Sequence, residues 1–271
     1  MAVAPLEGQA WLNGVPATAA DLAAIAAATY GHFTTLQVRG GAAQGLDLHL
    51  QRLQDATREL FDQSLAPERI RAAMRDALAA STRDDCTLRL AVHVRGFDPA
   101  RLDAACAVDL LVRIAPPGTP GTHPLRLKSV AYARPLPHLK HIGTFALFHH
   151  RRQAALAGCD DALLVDAAGR IAEGTFWNIG FFDHDTVVWP QAPALRGTCE
   201  RLLQAGLTER GVGQATRPVG LEDLDGLQGA FTANCRGVQA VASIDGVAWA
   251  PDPGRIERLQ RALDTRPWQA I

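Results

Sequence analysis

The chain has 271 residues, 48% of them apolar and 20% charged, with a formal net charge of −1. That is the profile of a soluble globular protein of one large or two ordinary domains, and it excludes the basic footprint of a binder of nucleic acid or anionic membrane. Met1–Trp11 lacks the basic-then-apolar order of a signal peptide and no run of about 18 apolar residues could span a bilayer, so a cytoplasmic location is expected.

In chain order, Phe33–Arg39 (FTTLQVR) reads as a strand, and Leu48–Phe61 as an amphipathic helix with Leu50, Leu53, Ala56, Leu60 and Phe61 on one face. Pro67–Ala80 reads as a second helix, with Pro67 in the first turn where a missing N–H costs nothing. Two β-rich runs, Thr87–Arg95 and Ala107–Ile114, complete an α+β first domain. The stretch Pro116–Pro124 is rich in proline and glycine and reads as an interdomain linker. Beyond it come a strand, Leu125–Ala133, and a helix, Gly143–Gly158. A meander of short strands follows over Ala162–Asp166, Arg170–Glu173, Asn178–Phe182 and Thr186–Trp189. A helix over Thr198–Arg210, strands over Gly229–Asn234 and Gln239–Ile244, and a helix over Pro253–Arg266 close the chain. Strands and helices do not alternate regularly, and GxGxxG after a strand, GxxxxGK[ST] and GxSxG are all absent, which argues against an open Rossmann sheet, a P-loop and a hydrolase elbow.

The five cysteines, Cys86, Cys106, Cys159, Cys199 and Cys235, are odd in number and never in a CxxC pair, so reduced thiols are expected. His138, His141, His149 and His150 fall within thirteen positions, but without HExxH they do not make a metal motif, and no metal is expected. Among 27 basic residues only Lys128 and Lys140 are lysine. In a chain that nearly always uses arginine for charge, a retained lysine is either a place where a primary amine must lose its proton and form an imine or an ordinary solvated surface position.

Lys140 lies in Arg134-Pro-Leu-Pro-His-Leu-Lys-His-Ile-Gly-Thr144, between a strand and a helix. The run Lys140-His, Ala155, Gly158, Asp160-Asp-Ala-Leu-Leu-Val-Asp166, Gly169, Glu173-Gly and Asn178-Ile resembles the signature of class IV aminotransferases. Three further blocks agree in order. Phe33-Thr-Thr, Gly41 and His49–Ala56 are similar to the amino-terminal block, most closely as found in the 4-amino-4-deoxychorismate lyase branch. Leu195–Leu203 is similar to the "LPGITR" block, and Phe231–Asp245 to the "F-x-x-N…PV…IDG" block.

The resemblance implies the two-domain α+β architecture of fold type IV pyridoxal-phosphate enzymes, like D-amino-acid aminotransferase. The domains are expected at 1–117 and 118–271, with the cofactor in the cleft between them and the lysine in the second. It implies that Lys140 carries pyridoxal 5'-phosphate as a Schiff base and moves the substrate Cα proton, and that Glu173 stabilises the protonated ring nitrogen. Arg52 and the helix beginning at Thr198 and Cys199 would hold the phosphate, with Asn178, Asn234 and Cys235 as further cofactor contacts. Arg134, His138 and Arg236 are candidates for the substrate carboxylate. The favoured reaction is amino-group transfer between an amino acid and a 2-oxo acid by a homodimer; the alternative is a lyase acting on an aminodeoxychorismate-like substrate. The chain departs from the family pattern at Gly197-Thr198-Cys199-Glu200, where the family has Gly-Ile-Thr-Arg, at Tyr30-Gly-His-Phe33, and at Ala240-Val241.

Overall fold

The computed structural model describes residues 9–271 apart from 28, 96, 97, 99 and 102–106; Cys106 and most of the Met1–Trp11 stretch lie outside the described residues. The chain forms two units: residues 1–118 with 139–143 and 268–271, and residues 119–138 with 144–267.

In the first unit, β1 (Gln9–Leu12), β2 (Val15–Pro16), α1 (Ala19–Ala27), β3 (His32–Val38), β4 (Ala42–Gln44), α2 (Leu46–Phe61), α3 (Pro67–Ser81), β5 (Cys86–His93) and β6 (Asp109–Ala115) follow in order. Their sheet is antiparallel, in the order β2-β1-β6-β5-β3. Strict alternation in β5 and β6 turns Leu88, Leu90, Val92, Val112 and Ile114 into one core. That core meets Leu46, Leu50 and Leu53 of α2 and Ile70, Met74 and Ala77 of α3, which recur at helical spacing. Gly45 starts α2 from a left-handed conformation, φ 62°, which a residue without Cβ adopts freely. A short strand, Trp268–Ala270, pairs antiparallel with β4.

In the second unit, β7 (Leu125–Ala131), α4 (Phe145–Leu156), β8 (Asp161–Val165), β9 (Ile171–Gly174), β10 (Asn178–Asp183), β11 (Thr186–Pro190), α5 (Thr198–Glu209), β12 (Gln214–Arg217), β13 (Gly229–Asn234), β14 (Gly237–Ile244), β15 (Val247–Ala248) and α6 (Pro253–Asp264) build a nine-stranded mixed sheet. Its order is β12-β11-β10-β13-β14-β7-β8-β9, with β15 beside β14. The strands β8 to β11 are buried almost throughout, as expected of a sheet covered on both faces. One core gathers Leu163, Trp177, Phe181 and Ile244; a second lies under α5 and α6 around Trp189, Leu203, Phe231 and Leu259. Asp252 caps α6, its carboxylate accepting from Arg255 N–H, and Pro253 opens it.

The expected lysine segment differs in one respect. Lys140 lies in residues 139–143, which pack with the first unit and not with the second. The reason is main-chain pairing: Phe33 N–H donates to the Lys140 carbonyl at 2.9 Å, Ile142 N–H donates to that of Gly31 at 3.0 Å, and His32 bridges His141. The segment extends the free side of β3.

Candidate active site

Lys140 lies in the first unit. Lys140 Nζ lies 4.9 Å from the centroid of the Phe33 ring, and the Arg89 guanidinium stacks on the same ring at 3.5 Å. Arg113 is the cross-strand partner of Arg89, and neither pairs with a carboxylate among the described residues. Burial, then the neighbouring Arg113 charge, pull the Arg89 guanidinium down to about 10. Sequence reading did not single out Arg89 or Arg113. The only available signal was a pair of cations on opposed positions of two hydrophobic strands.

On the other face of β3 lies a buried polar network. Thr34 Oγ1 and His49 Nδ1 are hydrogen-bonded at 2.6 Å, and His32 Nε2 and Thr57 Oγ1 at 3.0 Å. His49 is held down to about 3, first by burial and then by the charges of Arg52 and Lys140; burial also takes His32 to about 3. Both rings are therefore neutral. Arg52, half-buried one turn along α2 from His49, adds to the positive potential around Lys140.

Lys128 is placed quite differently. It is half-exposed on β7, its Nζ 2.8 Å from Asp245 Oδ1, and that hydrogen bond raises its pKa. A protonated ammonium is no nucleophile.

Glu173 lies in the second unit. It is the penultimate residue of β9 and is 2% exposed. Arg134 Nε donates to its Oε1 at 2.9 Å, Arg134 Nη2 to its Oε2 at 3.3 Å, and Leu195 N–H to Oε1 at 3.2 Å. Arg134 is thus engaged with Glu173 instead of standing open to a substrate carboxylate. Asn178 Nδ2 donates to the Leu195 carbonyl at 2.7 Å, so Glu173 and Asn178 together fix the turn that leads into α5. Gly197 ends that turn against Asn178 Oδ1, where a Cβ would collide.

At the start of α5, Thr198, Cys199 and Glu200 are all buried. Burial, with the charges of Cys235 and Glu200, pushes the Cys199 thiol up to about 12, so it is an unreactive, space-filling group. Thr198 Oγ1 is buried and has no hydrogen-bond partner. Asn234 ends β13, its Oδ1 accepting from Arg236 N–H at 2.8 Å; Cys235 is half-buried, and Arg236 and His138 are exposed.

These groups fit pyridoxal phosphate. A primary amine stands in a cationic neighbourhood, a buried carboxylate suits a protonated ring nitrogen, and the N–H groups of the first α5 turn, beside an unsatisfied hydroxyl, suit a phosphate.

The sequence model of the amino-transferase class IV family matches residues 31–244. The chain belongs to that family. Its cofactor is pyridoxal 5'-phosphate. Among solved structures, the branched-chain amino acid aminotransferase of Escherichia coli is similar with a TM-score of 0.83 at 17% identity, over 95% of this chain and 93% of that one. A hypothetical aminotransferase of Mycobacterium tuberculosis in its cofactor-bound form gives 0.78 at 22% identity, over 96% and 98%. A provisionally named 4-amino-4-deoxychorismate lyase of Legionella pneumophila gives 0.78 at 18% identity, over 87% and 90%. At these identities the likeness shows the fold. Curated protein sequences contain no match. Among the described residues no helix is long and apolar enough to cross a membrane, and no three His, Cys, Asp or Glu side chains form a metal-binding group.

Proposed function

We propose that this class IV enzyme transfers an amino group between an amino acid and a 2-oxo acid, with Lys140 as the residue that carries the cofactor and moves the proton. The observation that carries the reading is the Glu173 carboxylate, buried and fixed by Arg134 and the Leu195 N–H. Bound pyridoxal phosphate supplies an aldehyde for imine formation and a ring that withdraws electrons from the substrate Cα. Lys140 Nζ removes the Cα proton and returns it. Glu173 Oε2, which has only the longer of the two Arg134 contacts, keeps a lone pair for the ring N–H. Arg52, and Thr198 with the first-turn N–H groups of α5, would be the phosphate ligands, Cys199, Asn234 and Cys235 would be further cofactor contacts, and Asn178 braces the turn. With Arg134 engaged, His138, Arg236 and the Arg89–Arg113 pair are proposed for substrate carboxylates. The presence of several branched-chain aminotransferases among the structural neighbours supports transfer. A second reading, elimination from an aminodeoxychorismate-like substrate, rests on Phe33-Thr-Thr and His49–Ala56.

The protein is further proposed to be a cytoplasmic homodimer. The apolar side chains of α4, Phe145 at 84%, Phe148 at 58% and Leu156 at 67% exposure, support this, because they offer a second copy a surface to cover. Light scattering should give twice the chain mass.

Borohydride reduction of the yellow protein and peptide mapping test the central assignment. The phosphopyridoxyl group is expected on Lys140; label on Lys128, or none, refutes it. A panel of D- and L-amino acids without acceptor then separates the reactions. A donor that discharges the visible absorption and releases its 2-oxo acid shows transfer, whereas pyruvate from aminodeoxychorismate with unchanged cofactor shows the lyase.

A further inference from the structure

At the N-terminus of α5 the chain places an acid among the groups that would receive an anion. Glu200 is the third residue of a 12-residue helix, with a side chain 4% exposed. Its Oε1 lies 2.8 Å from Arg196 Nη2, and the Gly197 N–H is hydrogen-bonded to its carboxyl group. Its Oε2 is buried with no partner, as is the neighbouring Thr198 Oγ1. The N-cap, Gly197, has no side chain to satisfy the first-turn N–H groups. Two unsatisfied buried oxygens thus flank a helix end that attracts anions.

An ionised Glu200 opposes a phosphate in this place. Arg196 neutralises one charge, and Arg134 is paired with Glu173. The other titratable groups around it are Glu173 on β9, Cys199 on the same turn and Cys235 after β13. Neither thiol offers a positive charge. A phosphate beside an ionised Glu200 leaves like charges facing each other in a poorly solvated site, the arrangement that forces one of two neighbouring acids to hold a proton.

We propose that Glu200 binds the cofactor phosphate as a neutral acid: Oε2, protonated, donates a hydrogen bond to the phosphate while Oε1 keeps accepting from Arg196. The proton comes from solvent as the phosphate enters and returns to solvent when it leaves. Without the phosphate, an ionised Glu200 accepts from the Gly197 N–H itself and so fills part of the seat. Burial, reinforced by Glu173 and opposed by Arg196 and the Gly197 N–H, sets the acid at about 7, where this exchange falls within the working range of pH. The proposal rests on the reading that the cofactor phosphate is seated at α5.

The test is the affinity of the cofactor-stripped full chain for pyridoxal phosphate at pH 6.5 and 8.5, in the parent and in Glu200→Gln. The parent should weaken about tenfold more across this interval than the variant, which cannot ionise. Equal weakening overturns the proposal. Sulfate is a dianion with no proton to exchange here, so its binding gives an independent reading on the unmutated protein. Calorimetry at pH 8 in buffers of different ionisation enthalpy should show proton uptake with sulfate, lost once the cofactor is bound; no uptake refutes the idea even if the variant does not fold. Absence of label on Lys140 would strike the cofactor reading first. A labelled Lys140 with an unchanged pH response would strike only the role of Glu200.

Discussion

The Arg134–Glu173 pair joins residues 39 positions apart, both almost fully buried. Breaking one side of such a pair leaves a buried charge uncompensated, at a cost of about 3–5 kcal/mol. Arg134→Met is therefore expected to lower the urea midpoint strongly, while a double replacement with Glu173→Leu recovers part of the loss. Glu173→Gln should retain the cofactor but slow Cα proton removal by roughly a hundredfold or more, a few kcal/mol in the barrier; single-turnover absorbance with a good donor measures it. Lys140 and Glu173 are the site residues the sequence proposes, because their chemistry restricts residue type and their spacing matches a family. The partner of Glu173 was not: Arg134 could be seen near the lysine, but only the folded sheet brings its guanidinium to a carboxylate and away from a substrate. Arg89 was hidden for a related reason. In an alternating strand a charged position reads as solvent-facing, and nothing local says that it will lie on an aromatic ring beside an amine.

Among the elements, α5 and α6 pack closely at Gly206, where a Cβ would run into the main-chain carbonyl of Ala262. Gly206→Ala, normally favourable inside a helix, is here expected to cost about 1–3 kcal/mol through forced separation of the two helices. Chemical denaturation will show a lowered midpoint with little change in slope; an unchanged or raised midpoint would mean the helices part easily. The helices with strong apolar periodicity were readable to within a few residues: α2, α3, α5 and α6 all overlap their expected spans. The alternating or uniformly apolar strands were equally plain. What escaped were β1, β2, β4, β12, β15 and the Trp268–Ala270 strand, none longer than four residues. Segments that short have no period to detect, and their pairing is decided by partners far along the chain. The α1 segment, rich in alanine, also gave no directional pattern.

Over the whole molecule, two sets of buried groups respond to pH in opposite senses. In the first, His32 and His49 titrate near 3 when folded against an ordinary 6.5, so the unfolded chain binds more protons between those values. Stability present above pH 6.5 is lost as pH falls toward 3, by about 1.4 kcal/mol per pH unit for each ring. In the second, Glu200 is raised to about 7 from 4.5, so its contribution is full below 4.5 and is lost as pH rises through 7. Urea melts between pH 4.5 and 6.5 should show a positive slope that His49→Gln reduces, and Glu200→Gln should flatten the loss between 4.5 and 7. Unchanged slopes in both variants would contradict these assignments. The path of the chain carries a different consequence. Residues 139–143 and 268–271 belong with the first 118, and Trp268–Ala270 supplies the only strand paired with β4 among the described residues. On the ribosome, then, β4 emerges long before its partner strand: a nascent chain arrested before Trp268 holds neither β4 paired nor that unit complete.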